Sequence, residues 1–317
     1  MGLIRYSATR LATMVATVLV GCVVVFLVMK AAPGDPALSI LGESAHPDAI
    51  AAFRHKHNLD APVLIQLANW FAGALRGDLG LSLTIAGGRP IAELIARRLP
   101  NTLFIGIFAV LIAVAVSLVI GTIAALYRGR FIDTIATSMA VLGISMPDFW
   151  LSYMLVFAFA LGLGWLPSYG FVSPLDSLSG AFYSGLLPAA AVAAPMAAVY
   201  ARTLRTALLG VAHQEYVTAA RSFGFRPMFV FAHWVFRNAL IPYVIVIGLQ
   251  VRYILGGVVV IERIFGVPGI GSLMVDAGFA RDYPVVQACT VVFLAIVLLV
   301  NFSVDLICSA LDPRRTR

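Results

Sequence analysis

The sequence predicts an all-α polytopic membrane protein. Six transmembrane helices are expected, with a long extracytoplasmic segment after the first and a short cytoplasmic helix between the fourth and fifth. The 317-residue chain is 61% hydrophobic and 12% charged, with a mean hydropathy of +0.96. Average soluble domains are about 45–50% apolar and about 25% charged. So little charge cannot coat a soluble globule, and disorder requires the opposite composition. Apolar runs recur at the length of about 20 residues that crosses a bilayer. Basic residues cluster on alternate connecting segments, so the net charge of +7 reads as topology and not as a nucleic-acid footprint.

Leu11 to Met29 is an uncharged run between Arg10 and Lys30. It is longer than the apolar core of about 7–15 residues in a secretory signal. Ala31-Ala32-Pro33-Gly34-Asp35-Pro36 follows as a stop and turn, so the run reads as an uncleaved first span. The segment from Lys30 to about Asn101 lacks a spanning run. Within it, Val63 to Leu75 reads as an amphipathic helix, with Trp70 and Phe71 suited to a membrane interface. Leu103 to Leu126 is the second span. The third runs from about Thr134 to Leu163, interrupted at Pro147-Asp148. Leu186 to about Arg202 is the fourth, and Ala239 to Ile261, carrying Gln250 and Arg252, is the fifth. Val285 to about Cys308 is the sixth, with Asp305 near its end. The chain therefore divides into an N-terminal region with the first helix (1–30), an extracytoplasmic segment (31–100) and a five-helix core (101–317) holding the loop 210–237.

An even number of spans puts both termini on one side. With the N-terminus inside, the inner segments carry Arg5, Arg10, Arg128, Arg130, Arg202, Arg205, Arg221, Arg226, Arg237, Arg314, Arg315 and Arg317. The short outer loops carry only Arg263 and Arg281. The long outer segment is discounted because long loops translocate regardless of charge. Both termini are expected in the cytoplasm.

Catalytic motifs are absent. A phosphate-binding loop needs Gly-Lys-Ser/Thr, yet the only lysines, Lys30 and Lys56, follow Met29 and His55. No His-Glu-x-x-His or Gly-x-Ser-x-Gly occurs. Cys22, Cys289 and Cys308 have neither disulfide-framework nor zinc spacing. Gly266-Val267-Pro268-Gly269-Ile270-Gly271 follows a span and reads as a tight turn. No catalytic residue, cofactor or metal is expected on this chain.

The longest inner connection is the most informative. Glu215 stands in the first turn of a short helix and Arg221 in its last, both favourable to the helix dipole. Gly224 suits the left-handed position that ends a helix, and Pro227 the first position of the next. Ala219 and Ala220, flanked by Tyr216 and Phe223, would let a partner approach closely around aromatic anchors. The same features suit an ordinary solvated hairpin.

Ala219-Ala220-x-x-x-Gly224 resembles the coupling-loop motif of ABC importer permeases, with Thr218 where the fuller motif has glutamate. Glu215-Tyr216, Ala220-Arg221, Gly224 and Arg237-Asn238-Ala239 with Pro242 resemble the variant in the dipeptide, oligopeptide and nickel import family. The likeness extends through Pro33-Gly34-Asp35-Pro36, Gly77-Asp78-Leu79-Gly80 with Ser82, and Arg98-Leu99-Pro100-Asn101-Thr102-Leu103. It continues through Ser145-Met146-Pro147 with Phe149-Trp150, Glu262 with Phe265, and Arg281-Asp282-Tyr283-Pro284, ending at Asn301, Asp305 and Leu311-Asp312-Pro313-Arg314. The resemblance implies a permease subunit in a bacterial inner membrane, paired with a homologous permease and two ATPases and served by an extracytoplasmic solute-binding protein. It implies that ATP and Mg bind the ATPases, and that Glu215, Tyr216, Ala219, Ala220, Arg221 and Gly224 couple to them.

Ionisable residues inside a span are costly and mark pathways. Asp148, beside the helix-breaking Pro147, is a candidate for the translocation path, as are Gln250 and Arg252. These last two do not share one helical face. Peptides are the first substrate expectation, with nickel or another small solute second. The rival of a different class is a self-contained secondary transporter or channel.

Overall fold

The computed structural model describes residues 3–31, 36–42, 45–56 and 60–311, with no side chain described at 3–11, 36, 39–40, 56, 251–255 or 305–311. Pro33-Gly34-Asp35, Asp312-Pro313-Arg314 and the side chains of Arg252 and Asp305 therefore lie outside the described residues. Among the described residues the fold is helical, with one isolated bridge between Leu81 and Pro90. Helix α1 spans Leu3–Ala31, followed by the short α2 (Pro36–Leu41) and α3 (Pro47–Lys56), then α4 (Val63–Ala74). Next come α5 (Ile91–Leu126), α6 (Phe131–Ser145), α7 (Asp148–Leu155) and α8 (Leu178–Ala212). The elbow contains α9 (Glu215–Ser222) and α10 (Pro227–Val230), and α11 (Arg237–Phe265), α12 (Ile270–Phe279) and α13 (Tyr283–Leu311) complete the chain.

Among the described residues, five helices are long and apolar enough to cross a membrane, or up to seven spans if two bent helix pairs count as one each. The third expected span is one of those pairs: α6 and the α7 segment meet at 112°. Proline drives its predecessor out of the helical region. Met146 accordingly has ψ 130° and Pro147 ψ 139°, so two extended residues in succession turn the chain. Pro100, Pro188, Pro195 and Pro242 lie inside helices without ending them, as membrane helices allow when neighbours satisfy the freed backbone groups.

The chain forms two compact units, one built around Leu103–Val267 and one made of Ala8–Thr102 with Pro268–Leu299. In the first, α8 is the central element: 61% of its apolar window is buried, against 22% for α5. Its alanines permit close approach, the usual device where lipid supplies no hydrophobic drive between helices. A methyl group on Gly121 of α5 would stand 2.8 Å from the Ala201 carbonyl, and one on Gly143 of α6 would stand 3.2 Å from Ala198 Cβ. Both glycines are therefore contact points. Arg205 of α8 donates from Nε and a terminal nitrogen to both Asp133 oxygens of α6, at 2.7 and 2.8 Å. The Gly129 amide adds a third donor at 2.9 Å. This planar, two-pronged pair fixes the start of α6 against α8.

The second unit is tied by a buried carboxylate. Arg281 takes a left-handed φ of 55°, turning the chain so that Asp282 precedes α13. Asp282 is fully buried. It accepts from Ser82 Oγ at 2.7 Å and from the amides of Leu83, Thr84 and Ile85 at 3.2, 2.9 and 3.1 Å. Asn101 donates to the Pro268 carbonyl, and Thr102 Oγ1 accepts from the Ile270 amide, both at 2.9 Å. Four of the stretches noted in the sequence thereby meet in two pairs, Ser82 with Asp282 and Asn101-Thr102 with the turn at 266–271.

Candidate functional site

Two places gather the candidate residues, both in the first unit. The elbow follows α8, whose last residue Ala212 is capped by His213. Glu215 opens α9 and Arg221 lies in its last turn. The Gly224 amide donates to the Arg221 carbonyl and the Phe225 amide to that of Ala220. Gly224 has φ +80° with open space where a side chain would stand. A substitution there costs backbone strain of about 1–2 kcal/mol and no internal clash. Pro227 sits at the start of α10, and a π-helical stretch, Phe231–Phe236, continues into α11.

The helix is two-faced. Val217 and Ala220 are 0% and 1% exposed and join the same buried cluster as Leu204, Leu208, Val230 and Val235. Ala220 thus packs its methyl group within its own chain. Glu215, Tyr216, Ala219 and Arg221 are exposed, and Phe223 is 82% exposed. Asn238 donates from Nδ2 to the Tyr216 hydroxyl at 3.3 Å and to the Trp234 carbonyl at 2.6 Å. That bond joins the Glu215-Tyr216 and Arg237-Asn238 stretches. An aromatic row stiffens the elbow: Trp234 meets Phe225 at 5.6 Å, Phe225 stacks on Phe229 at 5.8 Å, and Phe229 stacks on His233 at 4.3 Å. The sequence reading passed over this row, although its i, i+4 spacing at Phe225, Phe229 and His233 was visible.

The second place is a cavity of about 310 Å³ lined by Ile144 and Asp148, by Val192, Pro195, Met196 and Val199 of α8, and by Gln250 and Gly257 of α11. Two of the three pathway candidates, Asp148 and Gln250, are brought together; the side chain of the third, Arg252, lies outside the described residues. The α8 residues follow the i, i+3, i+4, i+7 spacing of one helical face. Gln250 and Gly257 are likewise seven apart on α11, hence on one face. Gly257 leaves room for the carboxylate, because a methyl group there would lie 3.2 Å from Asp148 Oδ2, a tight contact. Sequence reasoning missed Gly257 and the α8 stripe. The adjacent Gly256 and Gly257 inside an apolar run were the available signal.

The family model described as "Binding-protein-dependent transport system inner membrane component" matches residues 117–317. Its N-terminal counterpart matches residues 3–106. A putative peptide transport system permease protein of Brucella abortus is 39% identical over 306 residues, covering 96% of both chains. A glutathione transport system permease protein of Salmonella choleraesuis is 36% identical over 311 residues, covering 98% of both. Among solved structures, an inward-facing MetNI methionine ABC transporter chain aligns with a TM-score of 0.56 at 19% identity, covering 69% of this chain and 97% of that one. An amino acid ABC transporter crystallised with histidines gives 0.52 at 16%, covering 69% and 94%. At those identities the structural likeness carries the fold.

Proposed function

We propose, since the chain belongs to the family of binding-protein-dependent transport system inner membrane components, that it is one of two permease subunits of an ATP-driven peptide importer. Peptides as cargo are supported by the names of relatives matched over nearly the full chain. The solute arrives on an extracytoplasmic binding protein, and ATP with Mg is held by two separate ATPase subunits. Both termini and the elbow face the cytoplasm, as the arginine distribution favours. The chain divides functionally into 1–30, 31–100 and 101–317, with 210–237 as the coupling loop.

The observation that carries the coupling role is the exposed aromatic surface on an arginine-rich elbow. Tyr216, Phe223, Phe225 and Met228 are 45%, 82%, 46% and 75% exposed, beside Arg221 and Arg226. Aromatic anchors with flanking arginine are what protein interfaces concentrate at their centres. Glu215, Tyr216, Ala219, Arg221 and Gly224 would meet the ATPase, with Ala220 holding the helix to its own bundle. Closure of the ATPases would then push α9, and the packed elbow would pass that displacement to the helices lining the Asp148 cavity. Asp148, Gln250 and Arg252 are assigned to the path.

Affinity purification of the tagged chain in mild detergent tests this. The expected result is a complex holding a second permease and two ATPase subunits that takes up trialanine only with ATP and binding protein. A lone chain that moves solute without ATP would overturn the reading in favour of a secondary transporter or channel.

A further inference from the structure

Resting on the assignment of this cavity to the path, we propose that it is a cation-selecting station that receives a primary ammonium group of the passing solute on the Asp148 carboxylate. Three features support it. First, Asp148 is the only charged group lining the cavity among the described residues. Its carboxylate oxygens have no hydrogen-bond or ion-pair partner among those residues. A half-buried carboxylate with no counter-ion among the described residues favours a cation that enters. Second, the volume of about 310 Å³ sits at the small end of the roughly 300–1,000 Å³ range of small-molecule sites. It accommodates the end of a solute. Third, the surroundings give an amine bonding partners and an apolar wall. Gln250 offers an amide oxygen that can accept from the amine. Val192, Met196, Val199 and Ile144 provide the wall. Gly257 completes the arrangement by leaving space for Oδ2. An ammonium donates three hydrogen bonds and carries the compensating charge; a carboxylate end entering the same place would meet repulsion.

The test reads the cavity's field without depending on what the binding protein delivers. Cysteine is introduced as Val199→Cys. The assembled complex in membrane vesicles is then labelled with ethylammonium or ethylsulfonate methanethiosulfonate, with the chain lacking Val199→Cys as background. One unit charge a few ångströms away acts oppositely on the two reagents. The cation-to-anion labelling ratio should therefore fall about tenfold on adding Asp148→Asn and hold with Asp148→Glu. An unchanged ratio in Asp148→Asn overturns the proposal, and so does absence of labelling by both reagents. Trialanine uptake by the unsubstituted complex is measured in parallel. If trialanine is not taken up while the ratio responds to Asp148, the peptide reading fails and the cation station stands.

Discussion

Phe223→Asp abolishes stimulation of ATP hydrolysis by the loaded binding protein while leaving the permease folded. Phe223 is 82% exposed and lies outside the buried cluster that holds Val217 and Ala220. Loss of its ring therefore opens no cavity in the chain itself. At an interface, truncating a central aromatic anchor costs about 2–4 kcal/mol, which is roughly 30- to 1,000-fold in association. Aspartate adds a desolvated carboxylate to that cost. Hydrolysis in reconstituted vesicles should drop to the rate without binding protein, and the melting temperature of the purified permease pair should stay within a degree or two of the parent. Full stimulation in a normally assembled Phe223→Asp complex would remove α9 from the coupling route.

Asp282→Ala has its large effect on stability. The carboxylate satisfies three backbone amides and the Ser82 hydroxyl at a site with no solvent exposure. Removing it leaves several donors without an acceptor, each costing about 1–3 kcal/mol when buried. The aggregate is about 3–5 kcal/mol, comparable to breaking a buried ion pair. Asp282→Asn is expected to cost nearly as much, because its amide nitrogen turns a donor toward donors. The loop 82–86 should become the first site of proteolysis, and the detergent-solubilised complex should melt well below the parent. Equal melting and equal protease resistance would show that the loop is held by other contacts.

Hydrophobic length made most of the spans legible, and cap chemistry made the elbow legible. Glu215, Gly224 and Pro227 stand where dipole, left-handed turn and fixed φ require them. Helix ends were less visible. Helix α5 begins at Ile91 and α8 at Leu178, before the apolar runs at Leu103 and Leu186, because packing sustains a helix outside hydrocarbon. The third span concealed its sharp bend, since one proline in a sequence does not give the angle that two extended residues produce. Contacts between distant segments were invisible in principle. Ser82 and Asp282 are 200 residues apart, and the meeting of Asp148 with Gly257 depends on α7, α8 and α11 packing together. The burial of Ala220 was similarly hidden, because which side of a short amphipathic helix faces its own chain is decided by the bundle beneath it.

The central claim, that this elbow is where an ATPase engages the permease, is tested most directly by accessibility of a cysteine placed as Phe223→Cys. Inside-out vesicles carrying the complete complex, and vesicles carrying the permease pair alone, are treated with a membrane-impermeant maleimide. The account predicts rapid labelling of the permease pair alone and protection when the ATPase subunits are present. Equal labelling in both preparations would contradict it.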